Sequence, residues 1–305
     1  MNIRKYFSED AARVRCPSLQ INDLASLLCG VKSVVYASVL DAAEGRVLDQ
    51  LCRDLKLEKV VLRNMRDIGG SSVTAVLIGN DHKKLVKAQK ASGNVCSLAW
   101  GVGLDYPECC VKAYLDWRRP GVTGNLVSHI YSRTRKGKII PFWMNNTLNF
   151  FSRINTPLLR RAYKAFSGLN SGQDREAIIT WHPCSYFCEE TLKKGRTIYD
   201  FMREYMPRLT ADRVEMLSKP VVFWGDFVFA VLNGACRPEK GGVGVSYDGI
   251  GRPRALLGRA AVKALSAPGA LRIARDGAVE FRPRVKLPGG FEVLPFARPA
   301  SAARG

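Results

Sequence analysis

The sequence predicts an α/β protein: a small mixed α/β unit, a central helical region bearing cysteines, and a smaller β-rich C-terminal domain. Three observations predict it. Over residues 33–100, short apolar runs alternate with capped amphipathic stretches. Over residues 93–217, helical spacing dominates. From residue 218 onward, short β-branched and aromatic runs alternate with Gly, Asp and Pro turns. The expected boundary follows from that change of character. Residues 1–217 form the α/β and helical domain with a four-cysteine site, and residues 218–305 form a basic β-rich domain with a disordered tail over 297–305.

The elements follow in order. Residues 1–30 read as an extension with a short helix at Ile21–Leu28. Cys29, in an apolar run, reads as a buried small hydrophobe. Val34–Leu40 is an apolar strand. Asp41 then caps a helix to about Leu57, with Val47, Leu48, Leu51 and Leu55 on one face and Cys52 at core spacing. Lys59–Leu62 and Val73–Gly79 are further strands, joined through a turn at residues 69–72. Asn80-Asp81 caps a helix to about Ala91. Continuous apolar strands between helices imply a sheet covered on both faces. Gly69-Gly70 and Gly241-Gly242-Val243-Gly244 match neither a phosphate loop nor a dinucleotide fingerprint.

In the central region, Asp105 is placed to cap a helix, with Pro107 in its first turn and Val111–Trp117 continuing it. Pro120-Gly121 breaks the chain. Helices follow at Asn125–Arg133, from Phe142 through Phe151, and from Pro157 to about Phe166. Pro183 blocks helix upstream of Ser185, which is placed as the N-cap of a helix running to about Tyr205, with Cys188, Glu189 and Glu190 in its first turn. In the C-terminal domain, Val221–Trp224 and Phe227–Leu232 flank Gly225-Asp226 as a hairpin. Val243–Tyr247, Ala270–Ala274, Val279–Arg282 and Phe291–Leu294 are short strands, interrupted by a helix at Leu256–Leu265.

A chain of 305 residues buries a substantial core, and 47% hydrophobic with 24% charged residues is ordinary for a soluble globular protein. No apolar run approaches the ~18–20 residues that a membrane span needs. The first ten residues hold no apolar signal segment, so a cytoplasmic location is expected. Nine cysteines without an export signal point to metal or catalytic use of the clustered ones. The net charge of +20 is unevenly placed. Ten basic and no acidic residues fall between Trp117 and Lys164: Arg118, Arg119, Arg133, Arg135, Lys136, Lys138, Arg153, Arg160, Arg161 and Lys164. Residues 251–305 add 11 basic against 3 acidic. The expected partner is anionic: RNA, a small phosphorylated or carboxylated intermediate, or an acidic carrier.

The chemistry concentrates in Asp105-Tyr106-Pro107-Glu108-Cys109-Cys110 and Trp181-His182-Pro183-Cys184-Ser185-Tyr186-Phe187-Cys188. Both motifs lie at helix starts, where unpaired N–H groups and the macrodipole favour thiolate. If the two converge, Cys109, Cys110, Cys184 and Cys188 form a four-thiolate metal site. Zinc ribbons use Cys-x2-Cys pairs, whereas here one pair is adjacent and the other is separated by three residues. That spacing favours an iron–sulfur cluster of the 4Fe-4S type, with zinc, a redox pair or plain buried thiols as alternatives. His182 is a possible ligand or catalytic group. Glu108 and Glu189 are candidate acid–base residues, though both also suit a first helical turn. Asn145, Asn146, Arg118, Arg119 and Arg153 are candidate substrate-binding residues.

Tyr106-Pro107-x-Cys109-Cys110-Val111 and His182-Pro183-Cys184-Ser185-x-x-Cys188-Glu189 resemble an archaeal and bacterial family of unassigned function. That family carries GYPxCC and HxPCSxxC motifs with an Asn-Asn pair between them. Asp105 stands where the family pattern has Gly, and His182 directly precedes Pro183. The resemblance covers roughly residues 75–200 and implies one shared site. The cysteine usage is also similar in kind, without homology, to the iron–sulfur epoxyqueuosine reductase that acts on tRNA. The expected activity is reductive or sulfur-transfer chemistry on an anionic substrate, with an electron donor as a further partner and without a radical-SAM cysteine run. The competing expectation is a nucleic-acid-binding protein without catalysis, stabilised by zinc or by packed thiols.

Overall fold

A computed structural model describes residues 19–39, 41–66, 72–119, 124–149, 157–169, 177–252, 255–282, 284 and 286–298. In chain order the elements are α1 (Ile21–Leu28), β1 (Val34–Val39), α2 (Ala42–Leu55), β2 (Glu58–Arg66), β3 (Ser72–Gly79), α3 (His82–Ala91), α4 (Leu98–Gly103), α5 (Glu108–Trp117), α6 (Leu126–Ser132), β4 (Ile140–Pro141), α7 (Pro157–Leu169), α8 (Glu189–Tyr205), α9 (Pro207–Leu217), β5 (Val221–Gly225), β6 (Val228–Glu239), β7 (Gly242–Ile250), α10 (Arg259–Leu265), β8 (Gly269–Ala274), β9 (Val279–Arg282), β10 (Glu292–Leu294) and β11 (Phe296–Ala297). The fold is mixed α/β with a β-rich C-terminal region.

The chain divides into two compact units, and the division does not follow the expected boundary at 217/218. The first unit holds residues 1–122, 178–184 and 189–211; the second holds 123–177, 185–188 and 212–305.

In the first unit, a three-stranded antiparallel sheet has the order β1-β3-β2. Strands β1 and β2, joined through α2, are parallel to each other with β3 inserted between them. Asp41 caps α2 as expected, its side chain accepting from the Ala43 and Glu44 amides. Asp81 likewise caps α3 through Lys84 N–H. Val34, Leu62, Ala75, Leu77, Leu85, Ala88 and Leu104 form the core. Central β3 is buried from Ala75 to Ile78, but the expected cover on both faces fails at the edge strand β2, where Val61 is 50% exposed. Helix α4, which the sequence reading did not separate, fits tightly between its neighbours. A Cβ on Gly101 would stand 2.6 Å from Val111 of α5, and one on Gly103 would stand 3.2 Å from Ala88 of α3.

The second unit is built on a six-stranded antiparallel sheet, order β10-β5-β6-β7-β8-β9. Its core includes Val222, Ala230, Leu232, Val243, Val245, Leu265, Leu271 and Ile273. The expected hairpin and short strands are present, with β6 and β7 longer than read. Strand β11 takes in Ala297, the first residue of the expected disordered tail, and it pairs in parallel with β4, setting Phe296 opposite Ile140. Residues 299–305 lie outside the described residues. The helix expected from Phe142 through Phe151 is instead one 3-10 turn, Phe142–Met144, followed by extended chain at Asn145. Asn145 explains the break. Its Oδ1 accepts from Thr147 N and Oγ1, and its Nδ2 donates to the Leu217 carbonyl, so the side chain supplies local bonds that a helix would otherwise provide.

Candidate metal centre

Helix α5 presents the first cysteine pair. Pro107, extended at φ −55° and ψ 128°, occupies the N-cap, and its carbonyl accepts from Cys110 and Val111 N–H. Cys109 and Cys110 are therefore the second and third helical residues. Asp105 is not the cap that the sequence suggested. Its backbone is left-handed, φ 58°, and its carboxylate turns away from α5: Oδ2 accepts from Ser33 N–H at 2.6 Å and Oδ1 from Lys84 at 3.0 Å. Lys194 of α8 donates to the Asp105 carbonyl at 2.8 Å. A left-handed residue is where glycine fits best and where aspartate is tolerated.

The second pair lies at the entry to α8. Helix α8 starts at Glu189, three residues later than a Ser185 cap implies. Ser185 is not its cap: Ser185 Oγ accepts from Phe187 N–H, and its carbonyl accepts from Cys188 N–H at 3.1 Å, making a tight turn just before the helix. Cys188 is joined directly to Glu189, so the start of α8 fixes its place. The four sulfurs converge, all lying within 4.8 Å of one another. Cys109 Sγ and Cys110 Sγ are 3.9 Å apart. Cys110 and Cys188 are buried, Cys184 is half-buried and Cys109 is exposed.

Two polar contacts meet at the Cys110 sulfur. Cys184 N–H donates to its Sγ at 3.3 Å. Thr191 Oγ1 lies 3.2 Å from the same sulfur and 3.2 Å from Trp181 Nε1. An indole nitrogen only donates, so Thr191 accepts from Trp181 and its own proton is available to Cys110. The donor set fits a soft, thiophilic metal. Two other cysteines stand apart from it: burial pushes the Cys236 thiol up to about 12 and raises that of Cys29, whose Sγ contacts the Ser26 carbonyl. Cys29 is half-buried rather than enclosed, and Cys52 packs in the core as read.

The remaining candidates fall into distinct surroundings. His182 is buried and stacks on Tyr114 at 6.4 Å with rings 10° from parallel. The Arg118 guanidinium lies 5.9 Å from the Tyr114 ring centroid and donates to the Tyr114 hydroxyl, which raises the arginine further. Burial raises the Tyr114 hydroxyl. Cys110 and Tyr114 share one face of α5 at i and i+4, and Arg118 is its C-cap residue. Arg119 pairs with Asp116 on the surface. Glu108 is exposed and pairs with Lys112, whose ammonium holds its carboxyl below the usual range. Glu189 is exposed in the first turn of α8. Asn145 and Asn146 are buried and bond to the protein itself, Asn146 Oδ1 accepting from the Tyr186 hydroxyl. Arg153 lies outside the described residues.

The sequence reading passed over Lys32, Asp23, Thr180 and Thr191. Lys32 is 1% exposed and donates to Asp23 at 2.6 Å and to Thr180 at 2.5 Å. Burial drives its ammonium toward neutrality while Asp23 opposes that. The only sequence signal was Lys32 standing in the apolar-rich stretch Leu24–Val35, with Asp23 just ahead of it.

No family model matches the chain, and no curated protein or solved structure does. Among the described residues, no helix is long and apolar enough to cross a membrane.

Proposed function

We propose that the protein is a metal–thiolate protein whose centre, held by Cys109, Cys110, Cys184 and Cys188, serves an anionic substrate. The observation that carries this reading is the convergence of four sulfurs within 4.8 Å, from two motifs more than seventy residues apart in sequence.

Sulfur spacing bears on the kind of metal. A tetrahedral ion with metal–sulfur bonds of about 2.3 Å sets its sulfurs about 3.8 Å apart. The Cys109–Cys110 separation of 3.9 Å is close to that. A four-iron cluster binds each thiolate through a different iron, so its terminal sulfurs stand further apart. The spacing supports a single thiophilic ion, zinc or iron, ahead of the 4Fe-4S cluster expected from the sequence. A cluster would require Cys109 and Cys184, the two sulfurs that are not buried, to move outward. Such an ion supplies Lewis acidity or, as iron, electron transfer. The chain supplies the rest: Cys110 is held by Cys184 N–H and Thr191, while Arg118 offers a cation at the C-cap of the same helix. Reductive or sulfur-transfer chemistry belongs to the cluster form of this reading.

Anaerobic purification followed by metal and acid-labile sulfide analysis tests it. One metal per chain without sulfide supports the single ion. Brown colour with absorbance near ~400 nm, iron and sulfide would restore the cluster. A chain that retains no metal and takes up none under reducing conditions sinks the centre.

The exposed Arg133, Arg135, Lys138, Arg161 and Lys164 favour a second reading, a nucleic-acid-binding protein. It requires RNA or DNA binding that weakens steeply with salt. Affinity unchanged between 50 and 200 mM salt, the range over which phosphate contacts weaken by about 10³ or more, would exclude it.

A further inference from the structure

We infer that Lys32, with Asp23 and Thr180, is the positioning unit of the cysteine centre, holding both cysteine motifs in place before any metal binds. Three observations support it, all within the first unit.

First, Lys32 joins the two motifs. Its ammonium lies 4.6 Å from the ring centroid of Tyr106, which leads into Cys109-Cys110, and 5.6 Å from that of Trp181, which leads into Cys184. The two rings are 5.9 Å apart. One buried cation thus faces an aromatic ring from each motif, a contact that strengthens where water is excluded.

Second, the backbone of each motif is tied to the same short stretch. Ser33, the neighbour of Lys32, donates its N–H to Asp105, one residue before Tyr106. Thr180, one residue before Trp181, accepts from Lys32 and donates to Asp23 at 2.8 Å. Asp23 sits on α1, so α1 and the turn into β1 anchor both approaches.

Third, the anchoring reaches the sulfurs. Trp181 Nε1 holds Thr191, and Thr191 holds Cys110 Sγ. Cys184 N–H completes the link to the same sulfur. Partners one shell outside metal ligands orient those ligands, and losing one typically lowers metal affinity by 10–100-fold.

An ion pair this deep is poor at stabilising a fold on its own account. Replacing both partners by apolar residues often leaves stability unchanged, whereas removing one strands a buried charge. Position, rather than stability, is therefore what the pair supplies. Lys32 touches neither sulfur nor substrate and is a positioning residue.

The test uses the full chain, reduced and metal-free, titrated with Co²⁺ alone, beside hydrogen exchange at the Cys184 amide. The variants are Lys32→Met and the double variant Asp23→Leu/Lys32→Met, which removes both charges. The double variant is expected to stay folded by circular dichroism, to bind Co²⁺ about tenfold or more weakly with an altered visible spectrum, and to exchange the Cys184 amide faster. Wild-type Co²⁺ affinity and spectrum with unchanged Cys184 exchange would overturn the inference and leave the metal centre standing. Loss of fold in both variants would also overturn it, making the pair a general stabiliser. The cobalt arm rests on the metal reading; the exchange arm does not. If the wild type ignores Co²⁺ while the double variant frees the Cys184 amide, the metal reading falls and the positioning role stands.

Discussion

Asp105 shows how one residue's backbone can decide its tolerance. Its φ of 58° is costly for most residues with a Cβ, though aspartate tolerates it, while its carboxylate holds Ser33 and Lys84. Asp105→Gly loses only the side-chain bonds. Asp105→Ala loses the same bonds and keeps the strain, so urea melts should place it about 1 kcal/mol below the glycine variant. Thr191→Val is expected to cost about 1–3 kcal/mol, because it strands the buried Trp181 N–H and takes a donor from Cys110. Thr191→Ser should recover most of that loss in the same melts. The four cysteines were legible because two paired motifs at helix starts are a pattern along the chain. Asp105 was misread as a cap because its partners, Ser33 and Lys84, lie 72 and 21 residues away, and nothing local reports them. Lys32 was passed over for a related reason: a buried lysine breaks the apolar pattern without revealing what it faces.

At the scale of elements, helices and strands were largely legible wherever local signals agreed. Asp41 and Asp81 cap the helices that they were read to cap. The sequence failed where a side chain outbid the helix, at Asn145, and where pairing is long-range, as in β4 with β11. On α5, the Glu108–Lys112 pair is an exposed i,i+4 contact. Lys112 lowers the Glu108 carboxyl, so this group contributes above its unfolded pKa and the contribution is lost as pH falls through the lower, folded value. Glu108 raises Lys112 in return, a contribution lost as pH rises through the raised folded value. Both groups are fully exposed and salt screens them. Glu108→Gln is therefore expected to leave metal content unchanged and to flatten, at low salt, both the acid limb and the alkaline limb of the stability profile. A loss of bound metal in that variant would return Glu108 to the centre.

At the scale of the molecule, the second unit is assembled from distant stretches, which is why a boundary at 217 looked natural in the sequence and is not where the chain divides. Within that unit Phe296 is fully buried, stands opposite Ile140, and meets the Tyr186 ring edge-on at 5.4 Å. Phe296→Ala is expected to cost about 3–5 kcal/mol in urea or thermal unfolding. A loss below ~1 kcal/mol would show that this strand contributes little.

The β4–β11 pairing also orders events in time. Ile140 and Phe296 are separated by most of the second half of the chain, and contacts of that span form late. During synthesis, Tyr186 would leave the ribosome long before the ring that shields it. Until residue 296 emerges, the Tyr186 ring lacks the edge-on partner that helps to bury it.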